Sequence, residues 1–186
     1  MTLIHTSNLY RIELQENLSD RLTNISGMEN AFFCNSGAEA NEAALKLARR
    51  YAFDHHGNEK DRILAFENAF HGRTLFTVTA GGQASYREGF GPLPGAIEHL
   101  PFNDYATLAE TFGDDVCAVI VEPVQGEGGV IAADKAFLET IRRLCDEHNA
   151  LMIMDEVQTG VGRVGALYAY ESFNVIPDIL TTAKGL

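Results

Sequence analysis

The chain has 186 residues, 46% apolar and 22% charged, an ordinary globular composition with room for a substantial core. Fourteen basic against 26 acidic side chains leave a net charge of −12. That balance argues against nucleic acid and against anionic membrane surfaces as partners.

In chain order, Asn8–Ser26 places Leu9, Ile12, Leu18, Leu22 and Ile25 at helical spacing with charges between them, an amphipathic helix that Ser26-Gly27 should end. Ala31–Cys34 reads as a short strand, and Asn35-Ser36-Gly37-Ala38 as the turn after it. Ala38–Tyr51, rich in Ala, Leu, Glu and Lys and ending in Arg49-Arg50-Tyr51, predicts a second helix. A polar connection, Asp54–Asp61, leads to a strand at Arg62–Phe66. Phe70-His71-Gly72-Arg73-Thr74 follows, then a loop from Gly81 to Gly95 holding five glycines, Pro92 and Pro94. Loops of that length in a compact domain commonly serve function.

Asp104–Phe112 is expected to be a short helix, and Val116–Val121 a buried strand closed by Glu122-Pro123. Gln125–Gly129 reads as a glycine-rich turn, and Asp134–His148 as a helix capped by Asp134. Leu151–Met154 runs straight into Asp155-Glu156, as a buried parallel strand would, before the turn Thr159–Arg163. A last apolar segment, Ile176–Leu180, leads to Thr181-Thr182-Ala183-Lys184. Strands alternate with helices and no repeat or linker interrupts them. The expected fold is α/β, a mainly parallel sheet sandwiched by helices.

Cys34, Cys117 and Cys145 are odd in number and form no Cys-x-x-Cys pair; Cys34 and Cys117 sit in apolar runs, where buried inert thiols are expected. No apolar run approaches membrane-spanning length, and Met1–Ser7 carries no secretion-signal pattern. The cytoplasm is the expected compartment, with no membrane partner.

Ligands of parallel sheets sit beyond the carboxyl ends of the strands, which is where the polar motifs fall. Ser36, Gly37 and Ala38 open a helix whose N–H groups suit a phosphate, although a Ser-Gly turn alone equally reads as an empty cap. Phe70 can stack on a planar ring and Arg73 can take a carboxylate bidentately, or they are a core Phe and a surface Arg. His71 is a candidate base, but reads first as a structural, hydrogen-bonded histidine. Glu122 and Glu127 are acid/base groups, partners of an arginine, or a solvated turn; no His stands at ligand spacing, so no metal is expected. Asp155 at a strand end is a turn former or a functional acid, and Lys184 a loop cation or a nucleophile. An anion cradle, an aromatic, an acid and a lysine converging on one crevice suit a phosphorylated aromatic aldehyde.

The ordered segments FFCNSGAEANEAALKLARR, AFHGRTLFTVTAGGQASYREGFGP, VEPVQGEGGV, MDEVQTGVGRVG and TTAKGL resemble the class III pyridoxal-phosphate aminotransferases, most closely the acetylornithine aminotransferases. The resemblance covers nearly the whole chain. It implies the large domain of a fold-type I transferase, with pyridoxal 5'-phosphate as cofactor. It also implies an N-terminal segment and a small C-terminal domain beyond residues 1–186, and a homodimer for the full-length protein.

On the same ground Lys184 would join the cofactor covalently and shuttle a proton, and Asp155 would bond the ring nitrogen. Val157 and Phe70 would pack on the two ring faces, Gln158 would bond the phenolic oxygen, and Ser36, Gly37 and Ala38 would hold the phosphate. Arg73 would take a substrate carboxylate. Glu127 would pair with an arginine of the small domain. The implied reaction moves the amino group of N-acetylornithine to 2-oxoglutarate, a step of arginine biosynthesis. Ornithine, succinylornithine and succinyl-diaminopimelate stay open as donors, as does an inactive fragment of such an enzyme. A nucleotide-binding module is disfavoured, because no Gly-x-Gly-x-x-Gly turn follows the first strand.

Overall fold

Strand pairing decides where every polar motif ends up. The computed structural model describes residues 6–7 and 9–186. In it β1 (Arg62–Phe66), β2 (Ile97–Leu100), β3 (Val116–Val121), β6 (Leu151–Asp155) and β7 (Ile179–Thr181) form one sheet. The order is β2-β1-β3-β6-β7, and every neighbouring pair is parallel. β4 (Val124–Gln125) and β5 (Ile131–Ala132) make a separate antiparallel hairpin.

Alternation along the strands feeds two cores. Ile63, Ala65, Ala118, Ile120 and Ile153 meet Ala44, Leu45, Ala48 and Ala52 of α2 (Gly37–His56), with Phe76 and Ala80 of α3 (Leu75–Ala80). Leu64, Phe66, Val119, Val121, Met152 and Met154 meet the other layer. There Leu108 of α4 (Tyr105–Thr111) and Phe137, Leu138, Ile141 and Leu144 of α5 (Lys135–His148) close over them. Covered on both faces, β3 is buried at every position and can be apolar throughout. Each large aliphatic side chain so buried contributes roughly 1.5–3 kcal/mol. The α/β sandwich expected from the alternation is the observed architecture. After β1 the chain moves to one side of the sheet, and after β3 to the other. The order therefore reverses between β1 and β3 and leaves a crevice beyond their carboxyl ends.

The described residues up to Cys34 form one compact unit, and Asn35–Leu186 a second. In the first, α1 spans Glu13–Ser26 and ends on Gly27 in the left-handed conformation. The predicted helix therefore starts late, and its proposed first residue, Asn8, lies outside the described residues. The strand expected at Ala31–Cys34 is absent, and Phe32 is 79% exposed. Apolar side chains suggested it, but a strand needs a ladder partner, and these residues have none among those described. Cys34 is exposed, against the expected burial, while Cys117 and Cys145 are buried as expected.

Other boundaries shift. α2 continues past Tyr51 to His56. α3, β2, β4, β5 and α6 (Ala169–Phe173) were not foreseen. Asp134 stands at the α5 N-cap without a side-chain cap bond.

Candidate active site

The crevice beyond β1 and β3 opens into a cavity of about 490 Å³. Ser36, Gly37, Ala38, Phe70, Arg73, Glu127, Asp155, Val157, Gln158 and Lys184 all line it. His71 and Glu122, both weighed in the sequence, line it too, and so does Asn41, which the sequence reading missed.

One wall is the start of α2. Ser36 is its N-cap, the Oγ accepting from the Glu39 N–H at 3.2 Å, while Ala40 N–H returns to the Ser36 carbonyl at 2.9 Å. The N–H groups of Gly37 and Ala38 lie outside that ladder, as first-turn donors do. Gly37 is required here, because a Cβ would fall 2.6 Å from Cγ1 of Val157. Gly72, at φ +138°, lies so close to Ala38 that a Cβ would approach its Cβ to 2.8 Å. Phe70–Arg73 is thereby held against the same helix end.

Asp155 ends β6 and is 4% exposed. Its Oδ2 accepts from Asn41 Nδ2 at 2.7 Å and from His71 Nδ1 at 2.8 Å; its Oδ1 accepts from Val157 N–H at 3.0 Å. The Asn41 amide also donates to the His71 carbonyl at 2.8 Å and accepts from Thr181 Oγ1 at 2.7 Å. One side chain of α2 thus ties together the Phe70–Arg73 segment, the end of β6 and the end of β7. His71 is the structural histidine the sequence suggested, but its bond is to the site carboxylate. Burial opposes charge on the imidazole, yet the Asp155 bond and the nearby Asp155 and Glu122 carboxylates outweigh it, so its pKa is raised. Its Nε2 is buried with no hydrogen-bond partner among the described residues.

Glu122 directly follows β3 and is 6% exposed, not a solvated turn. Burial pushes its pKa up to about 7; His71 opposes that shift, Asp155 adds to it, and the Phe70 and Gly126 N–H groups oppose it. Its Oε1 accepts from Phe70 N–H at 2.8 Å, which ties the end of β3 to the segment following β1. Glu127 is exposed on the cavity rim. The Gln158 side-chain amide lies against Gly126, so a Cβ there would have to displace it.

The adjacent carboxylates of β6 and its end divide their roles. Glu156 faces away and accepts from Ala169 N–H at 2.6 Å, Tyr170 N–H at 2.9 Å and Thr159 Oγ1 at 3.0 Å, anchoring the start of α6. Lys184 follows β7 at φ +48°, a conformation uncommon for a side-chain-bearing residue, and reaches the cavity from its exposed turn. Arg73, also exposed, has its guanidinium carbon 6.0 Å from the Phe70 ring centre.

A parallel sheet whose reversal point collects a helix start, a buried, multiply bonded carboxylate and a lysine has the arrangement that a pyridoxal-phosphate enzyme requires. Residues 1–186 match the family Aminotransferase class-III, and the chain belongs to that family. It is 60% identical over 184 residues to the acetylornithine aminotransferase of Shewanella oneidensis, covering 99% of this chain and 45% of that protein. It is 62% identical over 182 residues to the succinylornithine transaminase of Salmonella paratyphi B, covering 98% and 45%. The chain thus spans about half the length of the curated relatives it matches. Among solved structures, the N-acetylornithine aminotransferase of Stenotrophomonas maltophilia aligns with a TM-score of 0.81 at 38% identity, over 97% of this chain and 44% of that one. A PLP-bound amine transaminase from an uncultivated Pseudomonas species aligns at 0.91 with 31% identity, over 97% and 46%.

Proposed function

We propose that the protein to which this chain belongs is a pyridoxal-phosphate-dependent aminotransferase taking N-acetylornithine as amino donor and 2-oxoglutarate as acceptor. The products are N-acetylglutamate semialdehyde and glutamate, a step of arginine biosynthesis. The observation that carries the reading is the convergence of the α2 start, Asp155 and Lys184 on one cavity. The names of the relatives support the donor class. We further propose a homodimer, in the cytoplasm, where the cysteine thiols would stay reduced.

The residues fit the cofactor. The unladdered N–H groups of Gly37 and Ala38 with the Ser36 hydroxyl suit its phosphate, and the missing Cβ at Gly37 keeps that cradle closed on Val157. Bound there, pyridoxal 5'-phosphate supplies an electrophilic carbonyl carbon and a ring that withdraws electrons. Asp155 would hold a proton at the ring nitrogen, because a buried carboxylate favours the charged form of a neighbouring base. Asn41 and His71 occupy its Oδ2 and so fix which oxygen faces inward. Lys184 Nζ would attach the cofactor and then carry the proton to and from the substrate carbon. Phe70 and Val157 would flank the ring and exclude water, and Gln158 would donate to the phenolic oxygen. Arg73 would hold the substrate carboxylate, and Glu127 would pair with an arginine contributed from outside these residues.

In the full-length protein, Lys184→Ala should abolish the cofactor's protein-bound visible absorbance and reduce turnover to background. Near-normal turnover in that variant would overturn the assignment. The relative named for succinylornithine favours a second donor. Comparing kcat/KM for the acetyl and succinyl donors decides between them.

A further inference from the structure

We infer that Tyr86 positions Arg73 for a substrate carboxylate and thereby favours donors with a carboxylate remote from the reacting amine; this rests on the reading of Arg73 given above. The Arg73 guanidinium carbon lies 5.4 Å from the centre of the Tyr86 ring, closer than the 6.0 Å to Phe70. The two rings meet edge to face, 6.1 Å apart at 88°. Arg73 makes no hydrogen bond or ion pair with any described residue, so these ring contacts are what steady it. That mode of support matters chemically. An acidic partner would consume the N–H fork, whereas aromatic faces leave both prongs for a carboxylate.

Tyr86 is itself held in place. It closes the short 3-10 turn Ala84–Tyr86, its N–H bonding the Gln83 carbonyl at 3.1 Å. Upstream, Gly82 is pressed onto the backbone after β1, where a Cβ would fall 2.1 Å from the Phe66 carbonyl oxygen. Downstream, Arg87 reaches His99 Nδ1 at 3.5 Å, and His99 Nε2 bonds the Ala80 carbonyl at 3.2 Å. A carbonyl only accepts, so Nε2 carries the proton and Nδ1 is the acceptor that Arg87 needs. The glycine-rich segment is therefore anchored on both sides of Tyr86. Tyr86 stands behind Arg73, outside the residues that line the cavity, and its role is that of a positioning residue.

The test uses the full-length protein loaded with pyridoxal phosphate. The donor half-reaction is followed with N-acetylornithine and with N-acetylputrescine, the same amine without the carboxylate. Calorimetry of N-acetylnorvaline, which has the carboxylate but no reacting amine, gives a readout independent of turnover. Tyr86→Leu should raise the KM for N-acetylornithine and the Kd for N-acetylnorvaline about fivefold, with the limiting rate changed by less than about twofold. N-acetylputrescine should be unaffected, Tyr86→Phe should behave as wild type, and Tyr86→Leu should add nothing in an Arg73→Ala background. Equal losses for both donors, or a further loss in the Arg73→Ala background, overturn the inference. If Arg73→Ala raises the KM and Tyr86→Leu does not, the inference falls while the role of Arg73 stands. If Arg73→Ala itself leaves the KM and Kd unchanged, both fall.

Discussion

Replacing Asn41 by alanine removes one amide that serves three partners at once. Asp155 loses one of its three donors, the His71 carbonyl loses its donor, and the Thr181 hydroxyl loses its acceptor. A hydrogen bond to a charged group is worth about 1.5–3 kcal/mol, and each buried neutral group left unpaired costs about 1–3 kcal/mol. Allowing for partial relaxation and for water entering through the cavity, the loss should be about 3–6 kcal/mol. That is a large fraction of the roughly 5–15 kcal/mol that holds a domain folded. Urea titration of the cofactor-free, full-length protein measures it directly. Thr181→Ser, which keeps the hydroxyl, serves as the control and should cost less than about 1.5 kcal/mol. A loss below about 1 kcal/mol for Asn41→Ala would show that the amide is a bystander and that Asp155 is held by other means.

Two further outcomes follow from the same region. Glu122, raised from 4.5 to about 7, is more readily protonated in the folded chain than in the unfolded one. Its contribution is therefore complete below pH 4.5 and lost as pH rises to about 7, by about 3 kcal/mol. His71, raised above 6.5, likewise stabilises below 6.5 and loses that contribution as pH climbs through its folded value. Glu122→Gln should flatten the decline of the thermal midpoint across this window, and parallel curves for variant and wild type would count against the assignment. At Gly37 an added Cβ must displace Val157, 2.6 Å away, so Gly37→Ala should cost about 1–3 kcal/mol and weaken cofactor binding. Adding Val157→Ala should recover most of the stability in thermal unfolding; no recovery would mean that the clash lies elsewhere.

The sequence disclosed most where one residue type sufficed for the inference. Val116–Val121 and Leu151–Asp155 were legible because a strand covered on both faces is apolar throughout. β2 was not, since Ile97-Glu98-His99-Leu100 lies on the sheet edge and carries polar residues there. α3 is written Leu-Phe-Thr-Val-Thr-Ala, a composition that favours strands, and only the Thr74–Thr77 capping box and the burial of five of its residues secure it as a helix. Ser36, Asp155 and Lys184 could be marked as site candidates because strand ends and a helix start are readable places for chemistry. Asn41 and Thr181 could not, because their meeting spans 140 positions and no local pattern announces it. One hint was available: an asparagine inside an otherwise Ala/Leu-rich helix has poor propensity and asks for a reason. Tyr86 was hidden inside a loop with one short 3-10 turn of its own, anchored on either side by contacts that no local pattern announces.

The long reach of the Asn41 bonds, 114 positions to Asp155 and 140 to Thr181, has a bearing on folding. Contacts of such sequence separation close late, after the loops between them have surrendered their entropy. A chain that has paired β1 with β3 but not yet seated β6 and β7 lacks Asp155 opposite the start of α2, and so lacks the proposed cofactor site. Whatever affinity the finished site has is therefore directed almost wholly at the native state. At a hundred times its Kd a ligand adds about 2.7 kcal/mol to the stability of the form that binds it. In the cell, cofactor supply would then act as a selector at the end of folding, extending the lifetime of complete molecules and leaving stalled ones to proteolysis.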